Sequence, residues 1–230
     1  MENIIKYNMR MCLNKKTVIG FVIMMVVCAL LPLGGGTLQK LQQVYGNIVP
    51  LFIMYIGALL FSSEFEWNTY KSTLTGKFSR IEMLLIKLLS VLIIAVLIAI
   101  TQCIIFKAAA IYDGVNYDFS DTFHVVGCLV AFTLLISSVG FLTAILCRNF
   151  IGTYTVLFIL FFDFFKECMV MAAEGIRNNS LKEFILNIPL SDALNGLRLN
   201  QYSGGVIVNM LVMSVICIAF AGIILDKRDL

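Results

Sequence analysis

Apolar and polar positions alternate along this chain in long blocks rather than residue by residue. Six blocks run almost without charge, at 17–33, 48–63, 83–106, 123–147, 150–165 and 206–225. A helix needs about 20 apolar residues to cross a hydrocarbon layer about 30 Å thick. The blocks therefore predict an all-α membrane protein with six transmembrane helices, organised as one domain over residues 1–230. Blocks four and five are joined by only a few residues around Arg148 and Asn149, which predicts an antiparallel hairpin.

The segments between the blocks carry their own patterns. Residues 1–16 place Lys6, Arg10, Lys15 and Lys16 against Glu2, with Ile4, Ile5, Met9 and Leu13 apolar. This predicts a short amphipathic helix on the inner membrane surface. The block that follows is long for the apolar region of a secretory signal and lacks an A-x-A cleavage pattern. Val27 stands before Cys28 where a lipoprotein signal requires a small residue. It reads as an uncleaved first span, ended by Pro32 and the Gly34-Gly35-Gly36 run. The segment 166–205 holds about 40 residues, too many for a structureless loop. Leu181, Phe184, Ile185 and Ile188 recur there at helical spacing and predict one or two short helices at the outer face, the second broken by Pro189.

Orientation follows from the basic residues. With the N-terminus inside, the inner segments hold 11 Lys and Arg, among them Lys71, Lys77, Arg80, Lys87 and Arg148, against 6 outside. The outer segment 107–123 instead carries Asp113, Asp118 and Asp121. The bias predicts that both termini are cytoplasmic.

Composition narrows the function classes. The 230 residues are 60% hydrophobic and 13% charged, with a mean hydropathy of +0.94. No length remains for a separate soluble catalytic domain. A net charge of +3 gives no reason to invoke nucleic acid. The seven cysteines form no C-x-x-C pair and read as polarizable packing residues. With one histidine, His124, at an outer membrane edge, neither a zinc site nor a nucleophile–His–acid triad has its parts, and no metal is expected. Gly76-Lys77 has Lys71 where a phosphate-binding loop requires glycine, so the chain itself does not bind ATP in that way.

Carriers driven by ion gradients need ionisable groups in their spans. Here Asp163 is the one candidate, near the outer end of the fifth block, with Lys166 and Glu167 within a helical turn. Thr101 and Gln102 are polar at depth in the third block, and Gln102 and Asp163 are the candidates for a substrate path. With an interior so poor in charge, energy for any transport is expected from a partner.

The segment 64–82 is the natural contact for that partner. Trp67, Tyr70, Leu74 and Phe78 recur at spacings of three and four and mark one face of a short helix. Asn68, Lys71, Ser72 and Thr75 fall on the other side, while Glu64 and Glu66 precede it and favour its positive end.

The stretch SSEFEWNTYKSTLTGKFSRIEMLLIKLLS resembles the segment between spans two and three of ABC-2 type transporter permeases. Either Glu64 or Glu66 matches that family's acidic position, Thr69 its threonine, Ser79-Arg80 the next element and Lys87 its lysine; Asn68 stands where the family often has glycine. The motif covers about 25 residues, and the predicted layout is similar over the whole chain. The resemblance implies a permease subunit of a bacterial plasma-membrane exporter. It would pair with a second permease subunit, identical or related, and with cytoplasmic ABC ATPase subunits that carry ATP and Mg. The helix 67–78 would then be the coupling helix, and Glu64, Glu66, Trp67, Thr69, Tyr70, Lys71, Leu74, Phe78, Arg80 and Lys87 its working residues. Similar short permeases export amphipathic substrates such as peptide antibiotics. Two other readings stand beside this one: a non-transporting membrane regulator or scaffold, and an intramembrane enzyme, for which no cluster of acidic, His or Arg groups at one depth is found.

Overall fold

The computed structural model describes residues 2–30, 38–66, 80–186 and 188–227. The predicted coupling-helix residues Trp67, Thr69, Tyr70, Lys71, Leu74 and Phe78 lie outside that range. The described residues form ten helices and no strand: α1 (Glu2–Cys12), α2 (Lys15–Leu30), α3 (Leu38–Glu66), α4 (Arg80–Asp113), α5 (Phe119–Cys147), α6 (Phe150–Phe161), α7 (Asp163–Glu174), α8 (Asn179–Leu186), α9 (Leu190–Leu199) and α10 (Gly204–Lys227). Backbone polar groups have no partner in hydrocarbon, so a chain this apolar satisfies them within helices.

Among the described residues, four helices are long and apolar enough to cross a membrane: Leu38–Ser63, Glu82–Asp113, Phe119–Cys147 and Gly204–Leu225. They correspond to the predicted second, third, fourth and sixth spans. The fifth block forms a shorter helix: α6 has 12 residues, about 18 Å at 1.5 Å per residue. Of the first block, α2 covers the described residues up to Leu30. α6 stops at Phe162, which is extended (φ −86°, ψ 155°), and α7 starts from Asp163.

α5 is the hub. It packs along α10, α3, α4 and α6, and its buried side chains run from Val125 to Ile145. Edge-to-face ring pairs tie the layers together: Phe61 with Phe141 at 5.3 Å, Phe132 with Phe161 at 6.0 Å, and Tyr45 with Phe106 at 5.4 Å between ring centres. Gly140, in the small-x-x-x-small pair with Ala144, faces Leu157 of α6 and Phe61 of α3, so that pair serves packing within the chain. α10 is different: 22% of its most apolar window is buried, and Val208, Val212, Val215 and Phe220 face outward.

The hairpin between α5 and α6 is built at two residues. Arg148 takes the left-handed conformation (φ 57°) and its N–H returns to the Ala144 carbonyl. Asn149 caps α6, its Oδ1 accepting from the Gly152 N–H at 2.6 Å while its Nδ2 donates to the Cys147 carbonyl at 2.8 Å. Such caps satisfy donors that the first helical turn leaves open.

The segment after the fifth block holds three helices rather than one or two. Pro189 does not break the last of them. It stands at the N-cap of α9, where a missing N–H costs nothing.

Candidate functional site

The residues flanking the segment 67–79 gather at one end of the α3–α4 pair. Glu64 and Glu66 lie in the last turn of α3, and Arg80 opens α4. Lys87, two turns into α4, is only 3% exposed. Its Nζ donates to the Leu60 carbonyl of α3 at 3.1 Å. A buried ammonium demands compensation, and a carbonyl near a helix C-terminus, at the negative end of the dipole, supplies part of it. This contact bridges the two helices immediately before the chain leaves α3.

α1 completes the arrangement. Asn8 is 3% exposed and Cys12 is fully buried. Asn8 Nδ2 donates to Ser90 Oγ of α4 at 3.4 Å, and Ser90 in turn donates to the Ile86 carbonyl of its own helix at 2.8 Å. Burial pushes the Cys12 thiol up to about 12, and the nearby Lys87 charge opposes that rise. The Lys87 clasp thus joins α1, α3 and α4 through Asn8, Cys12, Leu60, Lys87 and Ser90. Sequence reasoning found Lys87 but missed Asn8, Cys12 and Ser90. The available signal was that Asn8 and Cys12 sit four apart, on one side of an otherwise amphipathic helix.

A second clasp holds the other end of α3. α9 lies against α3, α5 and α6, burying Leu190, Ala193, Leu194 and Leu197. The backbones of α3 and α9 approach closely at Gly46, where a Cβ would stand 2.6 Å from Arg198 Cα. One residue on, Arg198 Nε donates to Asn47 Oδ1 at 2.7 Å. Gly196 lies under the Tyr202 ring, and the Tyr202 hydroxyl donates to the Ala193 carbonyl. Asp113, at the end of α4, accepts from the Leu38 N–H at the start of α3 at 2.8 Å. Thirteen residues separate Asn47 from Leu60, about 20 Å along the helix. α3 is therefore held at two levels, by Lys87 and by Arg198.

Among the described residues no hydrogen bond links Gln102 to either clasp. Gln102 is 3% exposed and its Oε1 has no hydrogen-bond partner. Thr101 faces outward and donates to its own helix, at the Ile98 carbonyl, at 2.7 Å. Asp163 is the first residue of α7. Lys166 of that helix reaches across to Asp192 of α9 at 3.8 Å. His124 is exposed beside Phe123 at the start of α5. Among the described residues no group of three or more His, Cys, Asp or Glu could hold a metal.

Among the described residues the two clasps pair no nucleophile with a base. What they offer is mechanical: one long helix, α3, fixed at both levels and leading directly into the segment 67–79. Comparison with protein-family models and with curated proteins gives no match to this chain.

Proposed function

We propose that this chain is the membrane-spanning subunit of an ATP-driven exporter of the ABC-2 type. Cytoplasmic ATPase subunits, carrying ATP and Mg, would seat the 67–78 helix, and a second permease subunit, identical or related, would complete the path. The substrate class is amphipathic: a peptide antibiotic, a lipid-like molecule or a drug, moved out of a bacterial plasma membrane. No residue of the chain is assigned a catalytic role.

The observation that carries the reading is the Lys87 clasp. The segment matching the family motif springs from α3 and returns to α4, and Lys87, the motif's lysine, joins those helices by its bond to the Leu60 carbonyl. A push on the segment would be taken up by both helices together rather than absorbed by one fraying end. Six spans with both termini inside belong to the same proposal. In it, α2 and the α6–α7 pair supply the first and fifth crossings, and α7 to α9 cover the outer side.

The test is substitution of the apolar face of the coupling segment. Tyr70→Asp with Leu74→Asp should abolish ATPase association and the resistance that export confers, while leaving the chain in the membrane. Retention of both activities would remove the coupling assignment. Retained ATPase binding in a wild-type chain that moves nothing would favour the regulator or scaffold reading.

A further inference from the structure

α1 turns a mixed side to the protein: Asn8 meets Ser90, Cys12 is buried beside Lys87, and Met9 and Met11 pack against the core. The opposite side, still exposed, carries Lys6 and Arg10, flanked by Tyr7 at 66% and Leu13 at 41% exposure. At about 100° per residue these four fall within an arc of about 120°. Two long cations between an aromatic and an aliphatic side chain make a face suited to the headgroup layer, where cationic heads meet phosphate and apolar stems meet acyl chains.

Position argues the same way. Only Leu13 and Asn14 separate α1 from α2, so Cys12 lies within about 11 Å of the first residue of that apolar helix, three Cα steps away. α2 presents Val18, Ile19, Val22, Ile23 and Val26 outward, so an exposed apolar surface begins within five residues of Leu13 along the chain. Lys15 and Lys16 stand at the junction in the sequence.

We propose that the Lys6–Tyr7–Arg10–Leu13 face binds anionic lipid headgroups of the inner leaflet and thereby holds α1 down on the Lys87 clasp. The inner-leaflet assignment rests on the orientation in the reading above; the binding chemistry does not depend on an ATPase. The occupant is a membrane surface rather than a protein because exposed apolar residues flank the cations and the helix that follows two residues on, α2, is itself apolar and exposed. Lipid charge would then set how firmly the root of the coupling segment is held.

Cys12 is a built-in reporter, since it reacts only when α1 lifts. The full chain, with Cys28, Cys147 and Cys168 changed to serine, is reconstituted in vesicles of phosphatidylcholine alone or with about one-third phosphatidylglycerol. Labelling of Cys12 by N-ethylmaleimide is followed at low and high salt. Each basic residue near an anionic surface contributes about 1 kcal/mol, so two predict labelling up to about 30-fold slower in anionic vesicles. The difference should shrink at high salt and vanish in Lys6→Gln/Arg10→Gln. Equal rates in the two vesicles, or an effect that survives the double substitution, would overturn the proposal. Protection by free phosphate in phosphatidylcholine vesicles would reassign the site to a soluble anion. Protection that appears only when a cytoplasmic ATPase is added would reassign the face to a protein. Failure to co-purify an ATPase, with lipid protection intact, would sink the transport reading and leave this one standing.

Discussion

Replacing Gly46 by alanine should unseat α9 from α3. The added Cβ would lie 2.6 Å from Arg198 Cα and 3.1 and 3.2 Å from its Cγ and Cβ. Carbon atoms settle at about 3.5–4.0 Å, so the two helices must part by about 1 Å. The side-chain atoms can turn away; the Cα cannot move without the backbone of α9. The adjacent Arg198–Asn47 bond, 2.7 Å long, would then stretch beyond about 3.2 Å. Overpacking of this kind costs about 1–3 kcal/mol, and loss of a charged hydrogen bond about 1.5–3 kcal/mol. The two are not independent, and a net cost of about 2–4 kcal/mol is expected. At about 2–4 °C per kcal/mol for a chain of this size, the melting temperature in detergent should fall by roughly 5–15 °C. Gly127→Ala is the control. It sits in α5 with nothing within 4 Å, and a helical Gly→Ala change there should stabilise by about 0.5–1 kcal/mol. If Gly46→Ala melts at or above wild type alongside Gly127→Ala, the close approach of α3 and α9 is wrong, and with it the clasp at Arg198.

Other substitutions test the remaining joints. Lys87→Met removes the bond to the Leu60 carbonyl but also the burial cost of a charge, so stability should change by less than about 1.5 kcal/mol; on the transport reading, the ATPase still co-purifies but substrate no longer stimulates it, and preserved stimulation would count against the clasp. Asn149→Ala deletes the cap of α6 and should cost about 1 kcal/mol in thermal unfolding. Maleimide should modify exposed Cys168 quickly and Cys12 slowly in the native protein. Cys12 is fully buried and burial pushes its thiol up to about 12, so its labelling at pH 8 should remain slow while α1 is docked and rise to the rate of Cys168 once denaturant releases the helix.

Much of the helical architecture was legible because apolar blocks of membrane length have few other uses. Its limits show at particular residues. α3 begins at Leu38, ten residues before the apolar block it contains. The signal was periodic rather than compositional: Leu41, Tyr45 and Val49 recur every four residues and are buried, among Gln39, Lys40, Gln42 and Gln43. α4 overruns its block in the same way, with Phe106 and Ala110 buried and Asp113 capping α3. The break at Phe162 had no such mark. Phe161-Phe162-Asp163-Phe164-Phe165 contains neither proline nor glycine, and the helix ends where Phe161 is fixed against Phe132 and Phe162 stacks on Phe158 at 4.2 Å. The contact with Phe132 is tertiary, and hydropathy does not register it.

The candidate site divides along the same line. Lys87 was visible through its place in a motif. Its partner is a main-chain carbonyl, which no side-chain pattern encodes. Arg198 looked like one more basic residue of a long outer segment. It matters because Gly46, 152 positions earlier, leaves room for α9 to settle against α3.

Gentle-detergent purification of the chain from native membranes, with identification of the co-purifying proteins and an ATPase assay, tests the central claim most directly. The account predicts a soluble protein with a phosphate-binding loop in the eluate, and ATP hydrolysis that is lost when Leu74 is changed to aspartate. A second, different membrane chain beside it would mark a heterodimer, and its absence a homodimer. An eluate without an ATPase in several detergents, from membranes where the chain is abundant, would contradict the transport reading.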